Sequence, residues 1–351
     1  MNISSGIKSA LLFMCFSCAL SAYAADTVQG TVRNQTSGKA AAGDEVILLR
    51  LQNGMEEEAK TRVDAAGAFS LPLSSADVPH IVRVVHQGVN YDQTTNGKGP
   101  LSIAVFDAVT HIRGLQGTLG IAQVESDGQT LKVTEMYSIA NDSVPPVTQF
   151  GPRNFEISIA PKATLDALTV KKGVGGVWVN LVPVPIKGQQ GRYAVDFPIR
   201  PGDTLFKFVY HMPYSEPTIL QVKLPYPIRN FAVMHPPSMS FKPSLAAAFT
   251  SPGMAQGLRV EQAVGKPVVR DVAAFEISGI GLAASPQAAR ASSAMSSPAA
   301  VGSLKPETPA AVTLPALPGW QENPMWILLS GVAALLTALV YVIWKKRKRM
   351  I

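Results

Sequence analysis

The chain has 351 residues, 47 % of them hydrophobic and 16 % charged, with 31 bases, 24 acids, a formal net charge of +7 and two cysteines. Lys8 and the closing run Lys345-Lys346-Arg347-Lys348-Arg349 carry six of those bases, so the sequence between them keeps 25 bases against 24 acids. That balance does not indicate a nucleic-acid surface, which needs basic side chains clustered on a folded domain, and no nucleic-acid partner is expected; the length allows two domains with real cores.

The first stretch, residues 1–24, reads as a secretory signal peptide. It has Lys8 in a short n-region, an apolar run Ala10–Leu20 and the cleavage pattern Ala22-Tyr23-Ala24. Cys15-Phe16-Ser17-Cys18 does not form a lipoprotein box. Cleavage after Ala24 removes both cysteines, so the mature chain is expected to hold no disulfide, thiolate metal site or cysteine nucleophile. A large ectodomain without disulfides points to a bacterial envelope protein.

Asp26–Phe106 reads as short strands between turns. Thr27–Val32 alternates, Val46-Ile47-Leu48-Leu49 is a buried strand, and Asn53-Gly54 signals a hairpin. Asp64-Ala65-Ala66-Gly67 is a turn leading into Phe69, which is expected to point inward with Val46 or Leu48. His80–His86 and Leu101–Phe106 complete a set of about seven strands, the pattern of a small β-sandwich. Gly30-x-Val32, Val46–Leu49, Asp64-x-x-Gly67-x-Phe69, and Val82-Arg83-Val84 with Gly88-Val89-Asn90-Tyr91 together resemble the carboxypeptidase regulatory-like domain. The resemblance covers about a quarter of the chain and implies a transthyretin-like sandwich, also grouped with carbohydrate-binding-like folds. It implies a non-catalytic module, since nothing here resembles the zinc peptidase domain that this module accompanies.

Thr118–His235 reads as a second β-domain. Leu119–Val124 and Thr130–Ile139 flank a hairpin at Asp127-Gly128. Phe155–Ala160, Gly176–Val184, Tyr193–Ile199, Leu205–Tyr210, Thr218–Leu224 and Phe231–His235 follow, which makes an immunoglobulin-like or related sandwich the natural expectation. Leu258–Glu261, Val268–Arg270 and Ala274–Ser278 are candidate strands finishing that domain.

Residues 283–320 are rich in Ala, Ser and Pro, a linker composition. Met325–Trp344 then runs 20 residues without a charge, about 30 Å as a helix, which matches a bilayer core. Trp326, Tyr341 and Trp344 sit where aromatic belts form, and the Lys/Arg run that follows places the C-terminus in the cytoplasm. Ser330, Ala334 and Ala338 form a small-residue stripe that would permit a homodimer through the span. Leu314-Pro315-Ala316-Leu317-Pro318 has the position of a wall-sorting signal, but Leu317 stands where Thr is expected.

The expected fold class is therefore all-β. Two β-sandwich domains, 25–110 and 111–282, are followed by the linker at 283–320, one transmembrane helix at 325–344 and a basic tail at 345–351. No zinc helix, P-loop or nucleophile-elbow motif is present, so no catalytic residue, metal ligand set or cofactor is expected. His80 and His86 share a strand parity but lie about 20 Å apart, too far to share one metal. Glu56-Glu57-Glu58 reads as a solvated strand start. The candidate contact residues are Tyr210, Tyr214 and Tyr226, set among Pro213, Pro225 and Pro227. Exposed, they would suit a sugar ring or a protein partner; the alternative is edge-strand packing. The expected role is a non-catalytic, membrane-anchored binding or scaffolding protein of the envelope, with an envelope protein or a carbohydrate as partner. A pure carbohydrate-binding module and an enzyme without a recognisable motif are the alternatives.

Overall fold

The computed structural model describes residues 26–283 except 53, 161, 174, 244–247 and 265–271. The expected signal peptide, most of the linker, the span with its Ser330/Ala334/Ala338 stripe, the basic tail, Asn53 and the candidate strand at 268–270 lie outside the described residues. The described chain is all-β and contains no helix, consistent with a sandwich-type fold. Among the described residues no helix is long and apolar enough to cross a membrane, which says nothing of strands that cross as a barrel. The chain divides into two units, one ending at Val105 and one starting at Phe106.

The first unit holds β1 (Thr27–Asn34), β2 (Lys39–Ala40), β3 (Glu45–Arg50), β4 (Glu56–Arg62), β5 (Ala68–Pro72), β6 (His80–His86), β7 (Val89–Thr95) and β8 (Leu101–Val105). One sheet runs β4-β3-β6-β7, antiparallel throughout. In the other, β1 pairs antiparallel with β5 and β2 and parallel with β8. Alternation decides which side is covered, because successive side chains on a strand point to opposite faces. In β1, Val28, Gly30, Val32 and Asn34 are buried and their neighbours exposed. In β6, His80, Val82, Val84 and His86 are buried.

Two local features follow from residue chemistry. Asp64 Oδ1 accepts from the amides of Ala66 at 2.9 Å and Ala68 at 2.7 Å, and Gly67 takes a φ of 89° that a side chain would resist. The turn returns Phe69 to the core, where it is buried with Val46 and Leu48, as the pattern predicts. Gly30 has no unusual φ but faces that ring. A Cβ there would lie 2.8 Å from Phe69 ring carbons and 2.6 Å from the Leu101 carbonyl oxygen.

The second unit holds β9 (Ala108–Val109), β10 (Gln116–Ser126), β11 (Thr130–Asn141), β12 (Thr148–Gln149), β13 (Phe155–Ser158), β14 (Thr164–Lys172), β15 (Val179–Asn180), β16 (Val184–Pro185), β17 (Arg192–Val195), β18 (Gly202–Pro213), β19 (Thr218–Lys223), β20 (Phe231–His235), β21 (Ser240–Pro243), β22 (Ala248–Ala255), β23 (Leu258–Val264) and β24 (Val272–Ser278). Its main sheet has the order β15-β14-β18-β11-β10-β20-β23-β22, with β10 and β20 parallel. Three smaller sheets are β12-β9, β13-β17-β16 and β19-β24-β21. The β10–β11 hairpin turns at Asp127-Gly128, where Asp127 Oδ1 accepts from Thr130 N at 2.7 Å and Gly128 has a φ of 97°. Leu131, Val133, Phe206 and Phe208 of the main sheet pack with Phe155 and Ile157 of β13, Leu220 of β19 and Phe275 of β24. Phe155 stacks on Phe206 with centroids 3.8 Å apart.

The strand expectations fail in two ways. Gly176–Val184 is not one strand; it contributes the two-residue β15 and starts β16, because glycines and prolines interrupt it. β7, β14, β21 and β22 have no counterpart among the expected strands. β14 carries a bulge between Leu165 and Ala167 that breaks its alternation, and β22 is an edge strand whose Pro252-Gly253 sits in a bulge.

Phe69→Ala is expected to cost about 3–5 kcal/mol, the usual loss for a buried Phe. Gly30→Ala is expected to cost about 1–3 kcal/mol by overpacking against a ring and a carbonyl that cannot both retreat. Thermal melts of the purified chain check both, and an unchanged midpoint for Gly30→Ala would show that the ring yields freely.

Candidate functional site

The second unit carries an open cleft of about 490 Å³. One wall is the β13–β17 pair, which brings Glu156 and Arg192 together although 36 residues separate them. The other wall is the end of β19 with Lys223, Pro225 and Tyr226, and Thr110 and His111 follow β9 at the rim. Gln149 of β12 and Asn154 line it beneath.

Hydrogen bonds hold the floor rigid. Gln149 Oε1 accepts from the Ile112 amide at 2.8 Å, and its Nε2 donates to the Asn154 carbonyl at 2.9 Å. The Tyr226 hydroxyl donates to the same carbonyl at 2.9 Å. Asn154 Nδ2 donates to the Asp196 carbonyl at 2.7 Å, while its Oδ1 is buried with no partner among the described residues. The walls carry charge. Arg153 Nε donates to Glu156 Oε1 at 2.7 Å, and Arg192 pairs with Glu156 Oε2. Both carboxylate oxygens are thus engaged. Lys223 and His111 have no ion pair among the described residues.

The three tyrosines do not form one exposed surface. β18 places Phe206, Phe208 and Tyr210 on its covered face, so Tyr210 is 1 % exposed and its hydroxyl donates to Glu135. Tyr214 is also buried, its hydroxyl donating to the Gly279 carbonyl at 3.0 Å. For these two the expected outward contact is corrected: their rings fill the core. Tyr226 is half-buried and borders the cleft.

Tyr210 leads to a group that sequence reasoning missed. Glu135 is completely buried on the covered face of β11, where it accepts from Tyr137 at 2.5 Å and Tyr210 at 2.8 Å. Burial pushes its carboxyl up to about 7, although the two hydroxyls hold it down. The signal was in the alternation: Glu135 has the same parity as Leu131, Val133, Tyr137 and Ile139.

Four of the five histidines sit beside carboxylates. His80 Nε2 is 3.0 Å from Glu58, His86 Nδ1 2.7 Å from Asp44, His211 Nδ1 2.7 Å from Asp166, and His235 Nε2 3.6 Å from Glu261. Glu58 therefore departs from the solvated expectation. It is largely buried, accepts from the Ser74 amide at 2.7 Å and pairs with His80, whereas Glu56 and Glu57 remain exposed. Trp178 is half-buried, with the ammonium groups of Lys171 and Lys207 at 5.0 and 5.4 Å from its ring centroid. Among the described residues no group of three or more His, Cys, Asp or Glu is placed to hold a metal ion.

Glu135 makes stability depend on pH. Its folded value lies above its ordinary 4.5, so the folded state holds the proton more tightly, and stability falls as pH rises from about 4.5 to 7 and then levels off. The loss is expected to approach 3 kcal/mol, about 1.4 kcal/mol for each unit of difference. Glu135→Gln should flatten that slope, read as the difference between variant and parent denaturation curves at pH 5 and pH 8. Parallel curves would mean that the carboxyl titrates normally. Gln149→Ala strands the Ile112 amide and is expected to cost about 1–3 kcal/mol in the same assay.

No family model matches the chain, and no curated protein matches it. Among solved structures, the M1 zinc metallopeptidase from Deinococcus radiodurans and a point mutant of it are similar at 14 % identity and a TM-score of 0.28. The match covers 48 % of this chain and 43 % and 42 % of those chains, so this chain spans less than half their length. Similarity at that level carries no argument about fold or activity.

Proposed function

We propose that the chain is a membrane-anchored, extracytoplasmic binding or scaffolding protein of the bacterial envelope. In this reading two β-sandwich domains stand off the bilayer on the 283–320 linker, and Met325–Trp344 anchors them with 345–351 in the cytoplasm. The first domain is a carboxypeptidase regulatory-like module, a reading supported by the Asp64–Gly67 turn that returns Phe69 to the core. The second is the binding domain, and the observation that carries this is the open polar cleft beside Tyr226. A concave site of this volume suits a small molecule or a saccharide better than a flat protein surface.

Binding is favoured over catalysis by the state of the charged groups. A general base needs free lone pairs directed at a substrate proton. Glu156 has both oxygens tied to Arg153 and Arg192, and His111 has no carboxylate to orient it among the described residues. No cofactor or metal enters the reading. An envelope protein partner is the second reading. It is favoured by the exposed valines of the β14–β17 connection, with Val177 83 % and Val182 94 % exposed, since such apolar clusters often mark protein contacts. The Ser330/Ala334/Ala338 stripe would add a homodimer through the span.

Glycan arrays probed with the detergent-solubilised chain, beside crosslinking and pull-down from membranes, separate saccharide from protein partner. Failure of both would remove the binding role. Topology is checked with fusions: an N-terminal reporter is expected to be active outside the cytoplasm and a C-terminal one inside. Replacing Leu335 and Leu336 by Arg should block anchoring, each charge costing about 3 kcal/mol at a helix centre.

A further inference from the structure

We propose that the cleft of the second unit selects an acidic saccharide, one bearing a carboxylate, over its neutral counterpart. This rests on the reading of that cleft as the ligand site and adds the charge of what it takes.

The charge balance of the walls motivates it. Among the described residues, three cations, Arg153, Arg192 and Lys223, line the cleft against one carboxylate, Glu156. Glu156 takes one edge of Arg153 and the Nη2 group of Arg192, whose Nη1 donates to Gln189 Oε1; an arginine presents five donors in a planar fork, so further N–H groups remain on both. Lys223 is exposed and has no carboxylate partner among the described residues. The described lining therefore carries a net positive charge of two from its lysine, arginines and glutamate, and cations gathered in a concave polar site raise the local concentration of anions.

The floor argues for a hydroxylated ligand instead of a bare ion. Ser158 and Thr110 line the cleft with hydroxyls, and Pro225 with the Tyr226 ring gives one side an apolar surface, while the buried amides of Gln149 and Asn154 brace these walls from beneath. The Gln149–Asn154–Tyr226 bonds fix these groups before any ligand arrives, and pre-organised polar groups bind at lower entropic cost. A volume of about 490 Å³ lies well above what a sulfate or phosphate fills and within the range of small-ligand sites. A sugar acid matches all of this: a carboxylate for Lys223 and the guanidinium edges, ring hydroxyls for Ser158 and Thr110, and an apolar ring face for Tyr226.

The test is calorimetric titration of the full chain in detergent with a galacturonate trimer, the methyl ester of that trimer, and sodium sulfate. The expected result is binding of the acid, at least about tenfold weaker binding of the ester, and negligible binding of sulfate. Lys223→Gln is expected to weaken the acid by about tenfold or more, the scale of one lost charge-assisted hydrogen bond, and to weaken the ester by less. Lys223 is exposed at a strand end, so the variant should fold normally, which its melting temperature reports. Equal binding of acid and ester would overturn the selection for charge while sparing the saccharide site. Sulfate binding as tight as the trimer would overturn the saccharide. No binding by any of the three to a folded chain would overturn the inference, and the pull-down then decides separately whether the protein binds a partner elsewhere.

Discussion

The second unit depends on the register of β11 between β10 and β18. All three are long, and side chains alternate between the two faces along regular strand, so one slipped residue would exchange the inner and outer sets. In the observed register Leu131, Val133, Tyr137 and Ile139 face the same side as Phe206, Phe208 and Tyr210. That face is too apolar to stand in water, and the short sheets β13-β17-β16 and β19-β24-β21 supply residues that cover it. The same register carries Glu135 inside. Its cost is limited because two tyrosines of the same face turn their hydroxyls to it. An unsatisfied carboxylate there would be far more destabilising.

The cleft is a consequence of that covering. Small sheets that cap a large one meet at seams, and side chains on their outer faces line whatever opening is left. Glu156 and Arg192 lie on the outer face of the β13–β17 pair, while Phe155 and Val195 of the same strands fill the core. One pair of strands thus supplies both packing and charge. Beneath them Gln149 binds backbone groups from two loops, so the floor is part of the folded framework and not a mobile surface.

The first unit solves a related problem with histidine. The inner positions at both ends of β6 are His80 and His86, and each meets a carboxylate contributed by another part of the chain, Glu58 of β4 and Asp44 just before β3. Polar pairs at the ends of an apolar strand close the core while keeping their hydrogen bonds. At the centre of that unit, removing a side chain is what matters: Gly30 makes room for Phe69, and the turn at Asp64 aims the ring there.

Much of the local structure was legible in single residues. Asp64-x-x-Gly67 and Asp127-Gly128 are turns because a carboxylate can cap nearby amides and glycine accepts positive φ, and neither fact needs a partner strand. The all-β class followed from alternation and breakers, since both are properties of the chain within a few residues. Tertiary structure decided the rest. Alternation shows that a strand has two unlike faces, but which face is covered depends on what packs against it. Tyr210 is therefore open to both a surface and a packed reading in the sequence, and the pairing of β18 with β11 places it in the core. The cleft was illegible for a different reason. Thr110, Gln149, Glu156, Arg192 and Lys223 come from five separate stretches, and no spacing rule links residues whose neighbourhood exists only after the sheets have paired.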